Sequence, residues 1–176
     1  MKVIYRGKFS TIIEEKVRTK SGMSYTHPVT VGSKIIAILP IFNNGDVLLE
    51  KQYRHAIRKW IYEIPAGHAD KGENRQHAAK RELEEETGYT TSQIKQLCVV
   101  YENPAGKRDP MHIYIATDLK NGTKHLEDSE RITTFRVSPK RAVSMVRSNR
   151  IMDLKTITAI LFYYGITQDR GRKNLK

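Results

Sequence analysis

Glu82, Glu85 and Glu86 are the residues of this 176-residue chain best placed to do chemistry. At spacings of i, i+3 and i+4 a helix turns all three carboxylates to one face. Left alone, like charges so close repel one another and weaken the helix that carries them. A cation held among them reverses the sign of that interaction. Hard cations such as Mg²⁺ take oxygen ligands, commonly carboxylates together with a substrate's phosphates. The spacing therefore points to magnesium-assisted chemistry on a phosphate compound. A solvated acidic helix is the ordinary meaning of a charge run, but it gives no reason for Gly67 before the run and Gly88 after it.

The elements around these carboxylates can be read from pattern. Thr11–Val17 and Ser24–Val31 are β-prone and are joined by Lys20-Ser21-Gly22, which has turn chemistry, so a hairpin is expected. KIIAILPIF over 34–42 suits a buried strand, and Asn43-Asn44-Gly45-Asp46 is a hairpin turn leading into Val47–Arg54. Trp60–Ile64 is a further extended piece. A helix is predicted over about Asn74–Thr87, rich in Ala, Glu, Lys and Arg, with Gly88 as its left-handed cap. Strands follow at Ile94–Tyr101, Met111–Asp118 and Ile132–Val137. Ser138-Pro139 opens a second helix, and a last helix near Asp153–Tyr164 is expected to bury Leu154, Ile157, Ile160 and Leu161. Strands and helices interleaved without a regular βαβ rhythm imply an α/β fold in which helices pack on a mixed sheet.

Length and composition suit one soluble domain with a substantial core: 39% of residues are hydrophobic and 28% charged. No apolar run is long enough to span a membrane, and the N-terminus lacks the order of a signal peptide. Cys98, the single cysteine, lies in the apolar run LCVV and reads as a buried reduced thiol. A cytoplasmic location is expected. The net charge of +12 attracts polyanions in general. Its basic residues are scattered, however, and no aromatic-interleaved stripe or zinc-finger pattern accompanies them, which argues against nucleic acid as partner. Such charge can instead steer a small phosphorylated substrate toward an acidic pocket.

Gly67, five residues, Glu73, seven residues and then Arg81-Glu82-Leu83-Glu84-Glu85-Glu86-Thr87-Gly88-Tyr89 resemble the Nudix box, with every defining position filled. The resemblance implies the Nudix α/β/α sandwich, with an N-terminal β-hairpin extension over 1–33, a hydrolase domain over 34–169 and a basic tail over 170–176. It implies that Glu82, Glu85 and Glu86 bind Mg²⁺, with Mn²⁺ as a substitute, and that Arg81 pairs with Glu73; Glu84, about 100° round the helix from each neighbour, is expected to face solvent. Lys51-Gln52-Tyr53-Arg54, Glu63-Ile64-Pro65-Ala66-Gly67, Met111–Ala116 and Ile151–Ile157 resemble the ADP-ribose pyrophosphatase branch of that family. In that branch the Ala66 carbonyl serves as a metal ligand, Arg54 contacts the diphosphate, and the N-terminal strands exchange across a homodimer. Arg54 is otherwise a surface arginine at a strand end, and Glu63 either contacts ligand or orders its loop. The implied reaction is hydrolysis of ADP-ribose, or a similar nucleoside diphosphate sugar, to a nucleoside monophosphate and a sugar phosphate. GDP-mannose, a dinucleoside polyphosphate or an RNA 5′ end are alternative substrates, and a non-catalytic nucleotide sensor is a reading of a different class.

One interval departs from the branch. Its usual loop ends in an acidic pair whose glutamate assists the attacking water, whereas here the loop reads Asn103-Pro104-Ala105-Gly106-Lys107-Arg108-Asp109-Pro110. Asp109 falls at the glutamate's place and is either a catalytic base or a turn residue before proline. Lys107 and Arg108 add positive charge that could grip a phosphate or sugar acid. The six histidines show no zinc spacing; His68, beside Gly67, either approaches ligand or faces solvent. Among Tyr5, Phe9 and Tyr25, one could stack on a base.

Overall fold

The computed structural model describes residues 1–173, with side chains as far as Gly165. Three strands come first: β1 (Lys2–Arg6), β2 (Thr11–Arg18) and β3 (Ser24–Val31). They form a three-stranded antiparallel sheet, one strand more than the hairpin read from sequence. There follow β4 (Ile35–Pro40), β5 (Val47–Arg54), β6 (Lys59–Glu63) and β7 (Ala66–His68), and then the helix α1 (Arg75–Thr87). The chain closes with β8 (Tyr89–Val100), β9 (Met111–Asn121), β10 (Ile132–Val137), α2 (Pro139–Arg147) and α3 (Leu154–Lys173). Helix backbone thus reaches into the segment read as a basic tail, and residues 174–176 lie outside the described residues.

Two further sheets build the main body. One has the order β7-β4-β9-β8 and is mixed, because β4 and β9 run parallel while the other pairs are antiparallel. The second has the order β10-β5-β6 and is antiparallel throughout. The turn after β4 forms as expected, with the Phe42 amide donating to the Asp46 carbonyl at 2.9 Å. The strands it joins nevertheless share only the Ile41–Val47 bridge and then part into different sheets. Pro40 has no amide hydrogen to continue a ladder, and the Ile41 amide bonds to Ala116 of β9 instead.

Strand alternation divides the core. Ile36 and Ile38 of β4, with Tyr114 and Ala116 of β9, pack beneath Ala78, Ala79 and Leu83 of α1. The intervening residues Ala37, Leu39 and Ile113 face the other way, toward Val47 and Leu49 of β5, Ala142 and Met145 of α2, and Ala159 and Ile160 of α3. A helix therefore lies on one side of the mixed sheet and a second sheet with two helices on the other. In α3 the buried residues are Lys155, Thr156, Ala159 and Ile160, while Leu154 and Leu161 are about half exposed. Ile160 and Ile157 pack on the core as expected, while a polar pair is buried in place of Leu154 and Leu161, for reasons that belong to the site.

Candidate active site

Helix α1 is fixed at both ends. Asn74 accepts from the Gln76 amide at 2.8 Å, and Gly88, at φ 76°, donates its amide to the Glu84 carbonyl. Leu83 and Glu86 are on the buried face, Glu82 is largely buried, and Glu85 is the most open of the three carboxylates. Glu82 lies directly over Gly67 of β7. A Cβ built there would stand 2.1 Å from the Glu82 carboxyl carbon, so only glycine lets backbone and carboxylate come so close. Glu84 turns away from the other three carboxyl-bearing positions of the site. It is half buried against Gly122 and accepts from the Thr123 amide at 3.4 Å.

Arg81 organises the acidic face. Its Nε and Nη2 donate to Glu73 at 3.1 and 3.0 Å, and Nη2 also reaches the His68 carbonyl. Glu73 in turn accepts from the Asp70 amide, so the loop between β7 and α1 is laced to the helix. Nη1 lies 2.9 Å from both Glu82 and Glu85. A positive nitrogen thus bridges two of the three carboxylates. The Arg81 hydrogen bonds hold Glu73 below the usual carboxylate range. Glu82 goes the other way, because burial pushes it up and outweighs the Arg81 charge.

Glu86 points inward, where its Oε2 accepts from the Ala66 amide at 2.9 Å. Burial raises it well above the ordinary value, and the next largest influence is the charge of Glu50, with the Ala66 bond opposing both. Glu50 sits on β5 directly across from Glu63 of β6 and is 1% exposed. Its Oε1 has no hydrogen-bond partner. Burial pushes Glu50 up to about 8, against the charge of Lys124. Glu63 is equally buried but fully engaged: Arg54 donates to it through Nε and Nη2, both at 2.6 Å, and Lys155 binds it as well. Burial alone would raise Glu63, yet the Arg54 bonds and the Lys155 charge bring it below the usual range. Lys155 also meets Asp153 at 3.1 Å. Asp153 accepts from the Thr156 amide and hydroxyl, and that hydroxyl accepts from the Ile64 amide. This network is why α3 buries a lysine and a threonine where an apolar face was expected.

The loop after β8 packs on the N-terminal sheet of its own chain. Thr30 and Gly106 bond amide to carbonyl at 2.9 Å, Arg108 returns the bond to Thr30, and His27 meets the Ala105 carbonyl at 2.6 Å. Asp109 accepts through Oδ2 from the amides of Gly32 and Ser33, at 2.6 and 3.1 Å. Arg108 reaches Glu15 at 2.7 Å, and Lys107 reaches Glu102. Phe9 stacks on His68 with ring centroids 4.5 Å apart and planes 15° from parallel. Of the N-terminal aromatics it is therefore the one against the residue that follows Gly67. Burial, aided by the Lys107 charge, holds His68 below its usual value.

The structure thus places Glu82, Glu85, Glu86 and Ala66 together and sets Arg54 with Glu63 beside them, while Asp109 and Arg108 lie against the N-terminal sheet. Among the described residues no three acidic or histidine side chains close on a common point as a ready-made cation cage. The residues nevertheless fit a hard divalent cation. The side-chain donors are carboxylates, an arginine nitrogen already bridges two of them, and Gly67 leaves the room a Cβ would fill. Sequence reading passed over Glu50, and it marked Asp153, Lys155 and Thr156 only as part of the Ile151–Ile157 resemblance, without a role. The local signals were a single acid ending the apolar run VLLE, and a lysine and threonine inside an otherwise apolar helix pattern.

The NUDIX domain family matches residues 33–155. An ADP-ribose pyrophosphatase of Bacillus subtilis (strain 168) is 30% identical over 161 residues, covering 90% of this chain and 87% of the relative. A methanol dehydrogenase activator of Bacillus methanolicus is 29% identical over the same length and with the same coverage. Among solved structures, an ADP compounds hydrolase superposes with a TM-score of 0.84 over 97% of this chain and 93% of that one. At 18% identity that likeness speaks for the fold alone.

Proposed function

This chain belongs to the NUDIX domain family and is a Nudix hydrolase, and from that premise we propose that it splits the diphosphate bond of ADP-ribose or a similar nucleoside diphosphate sugar. The products are a nucleoside monophosphate and a sugar phosphate. The observation that carries the substrate class is Arg54, locked in place by Glu63 and Lys155 and neighbour to Glu86. Glu63 takes Nε and Nη2, which leaves Nη1 for a phosphate oxygen. The nature of the B. subtilis relative supports the same class.

Glu82, Glu85, Glu86 and the Ala66 carbonyl would hold Mg²⁺, or Mn²⁺ in its place. Such a cation neutralises a diphosphate's charge and favours attack by water on phosphorus. The chain's own part is preparation. Arg81 keeps Glu82 and Glu85 from repelling each other until it is displaced, and the Ala66 amide fixes one Glu86 oxygen while leaving the other open. The two amide bonds on Oδ2 favour Asp109 as the anchor of the N-terminal sheet, with a base role open only to Oδ1. Arg108 is positioned to exchange Glu15 for a substrate anion.

We assign the segment over 1–33 to dimer formation, because Val3, Ile4, Tyr5, Met23 and Tyr25 expose apolar surface on its sheet. No helix among the described residues is long and apolar enough to cross a membrane. Rates on ADP-ribose, GDP-mannose and a dinucleoside polyphosphate, each with Mg²⁺ and with Mn²⁺, test the substrate class. ADP-ribose is expected to be preferred. A preference for the polyphosphate would overturn the role given to the Arg54–Glu63 pair.

A further inference from the structure

Glu50 is buried in the second sheet, and three cations lie close enough to act on its charge: Lys124, Lys155 and Arg54. Each of them spends hydrogen bonds elsewhere. Arg54 and Lys155 hold Glu63, Lys155 also meets Asp153, and Lys124 donates to the Ile132 carbonyl at 3.2 Å. Oε1 of Glu50 receives none of them. Protonation does not resolve this, since a buried carboxylic acid also needs an acceptor for its hydrogen and donors for its oxygens. A buried oxygen without a partner is rare and calls for a reason.

Register supplies the direction. Glu50 stands opposite Glu63, and three residues beyond Glu63 the Ala66 amide is fixed to Glu86. Glu50 on β5 and Glu86 on α1 are both buried, and Glu50 lies close enough for its charge to act on Glu86, while the carboxylate acting on Glu50 itself is Glu63. Two carboxylates meeting in a protein interior are held either by a proton or by a positive group that enters between them.

We propose that Glu50 is a further carboxylate of the cation site, its free Oε1 taking the divalent cation that Glu86 binds. This rests on the cation reading given above. Glu50 lies outside the Gly67–Tyr89 segment and joins the site only because β5 runs beside β6.

Mn²⁺ binding to the full chain, followed by electron paramagnetic resonance and by calorimetry, separates the possibilities without recourse to activity. Glu50→Gln keeps the side chain's shape and removes a buried ionisable group, so the metal-free variant is expected to melt no lower than wild type. Its Mn²⁺ affinity is expected to fall about 10-fold or more, or one equivalent of bound metal to disappear. Its gain in melting temperature on adding Mg²⁺ is expected to shrink in parallel. Unchanged Mn²⁺ affinity and stoichiometry in Glu50→Gln, with binding lost in Glu86→Gln, would overturn this proposal alone. Absence of Mn²⁺ binding in the wild-type chain would overturn the cation reading and the proposal together.

Discussion

Glu82 and Glu63 show how a single side chain is held by very different means. Glu82 owes its place to an absence, the missing Cβ of Gly67. Gly67→Ala is therefore expected to push Glu82 off the backbone and lower turnover strongly, while far-ultraviolet circular dichroism stays unchanged. Activity equal to wild type would show that the close approach is unnecessary. Glu63 owes its place to two cations. Removing one partner of a buried ion pair strands the others without compensation. Glu63→Ala is expected to cost about 3 kcal/mol in denaturant unfolding, because it leaves Lys155 buried beside Asp153 alone. A loss well under about 1 kcal/mol, the scale of an exposed pair, would show that the network is solvated.

At the scale of elements, what could be read in the sequence was whatever local chemistry decides. The strands over Val47–Arg54 and Ile132–Val137 have the expected bounds, and Ser138 caps α2 as its position before proline suggested. The Nudix-like segment showed three carboxylates, and the structure sets them on one helix with the Arg81–Glu73 pair in place. What could not be read is what partners decide. β7 is three residues long and contains a glycine, so nothing local marks it as a strand; it exists because β4 lies beside it. Likewise Asn43–Asp46 reads as a hairpin turn whether or not its strands stay together, and β9 decides that they part. The loop at 103–110 is the other such case, since its bonds run to residues some 75 positions earlier. Asp109→Ala is expected to speed amide exchange at Gly32 and Ser33 by about 10-fold or more, since two bonds to a carboxylate are lost. Turnover is expected to fall much less than in Glu86→Gln. Unchanged exchange with an equally deep loss of turnover would assign Asp109 as the base.

For the molecule as a whole, the buried carboxylates set how stability depends on pH. Glu50, at about 8, and Glu82 and Glu86, also raised, hold protons that the unfolded chain has released above the ordinary value of 4.5. Their contribution is complete below 4.5 and is lost as pH rises through each raised value, which for Glu50 is about 8. Glu63 and Glu73 are depressed and act in the opposite sense, losing stability as pH falls below 4.5. In chelator, unfolding free energy is thus expected to decline from pH 5 to 8, and Mg²⁺ is expected to remove most of that decline. A flat profile in chelator would mean that these carboxylates are hydrated. The site is acidic within a chain of net charge +12, which under the proposed function lets it receive a cation and a diphosphate together. The most direct test is phosphorus NMR of ADP-ribose incubated with wild type and with Glu86→Gln, with and without Mg²⁺. The diphosphate signals are expected to give way to two monophosphate signals, AMP and ribose 5-phosphate, with wild type and Mg²⁺ only. Equal conversion by Glu86→Gln, or release of ADP with the diphosphate bond intact, would contradict the assignment.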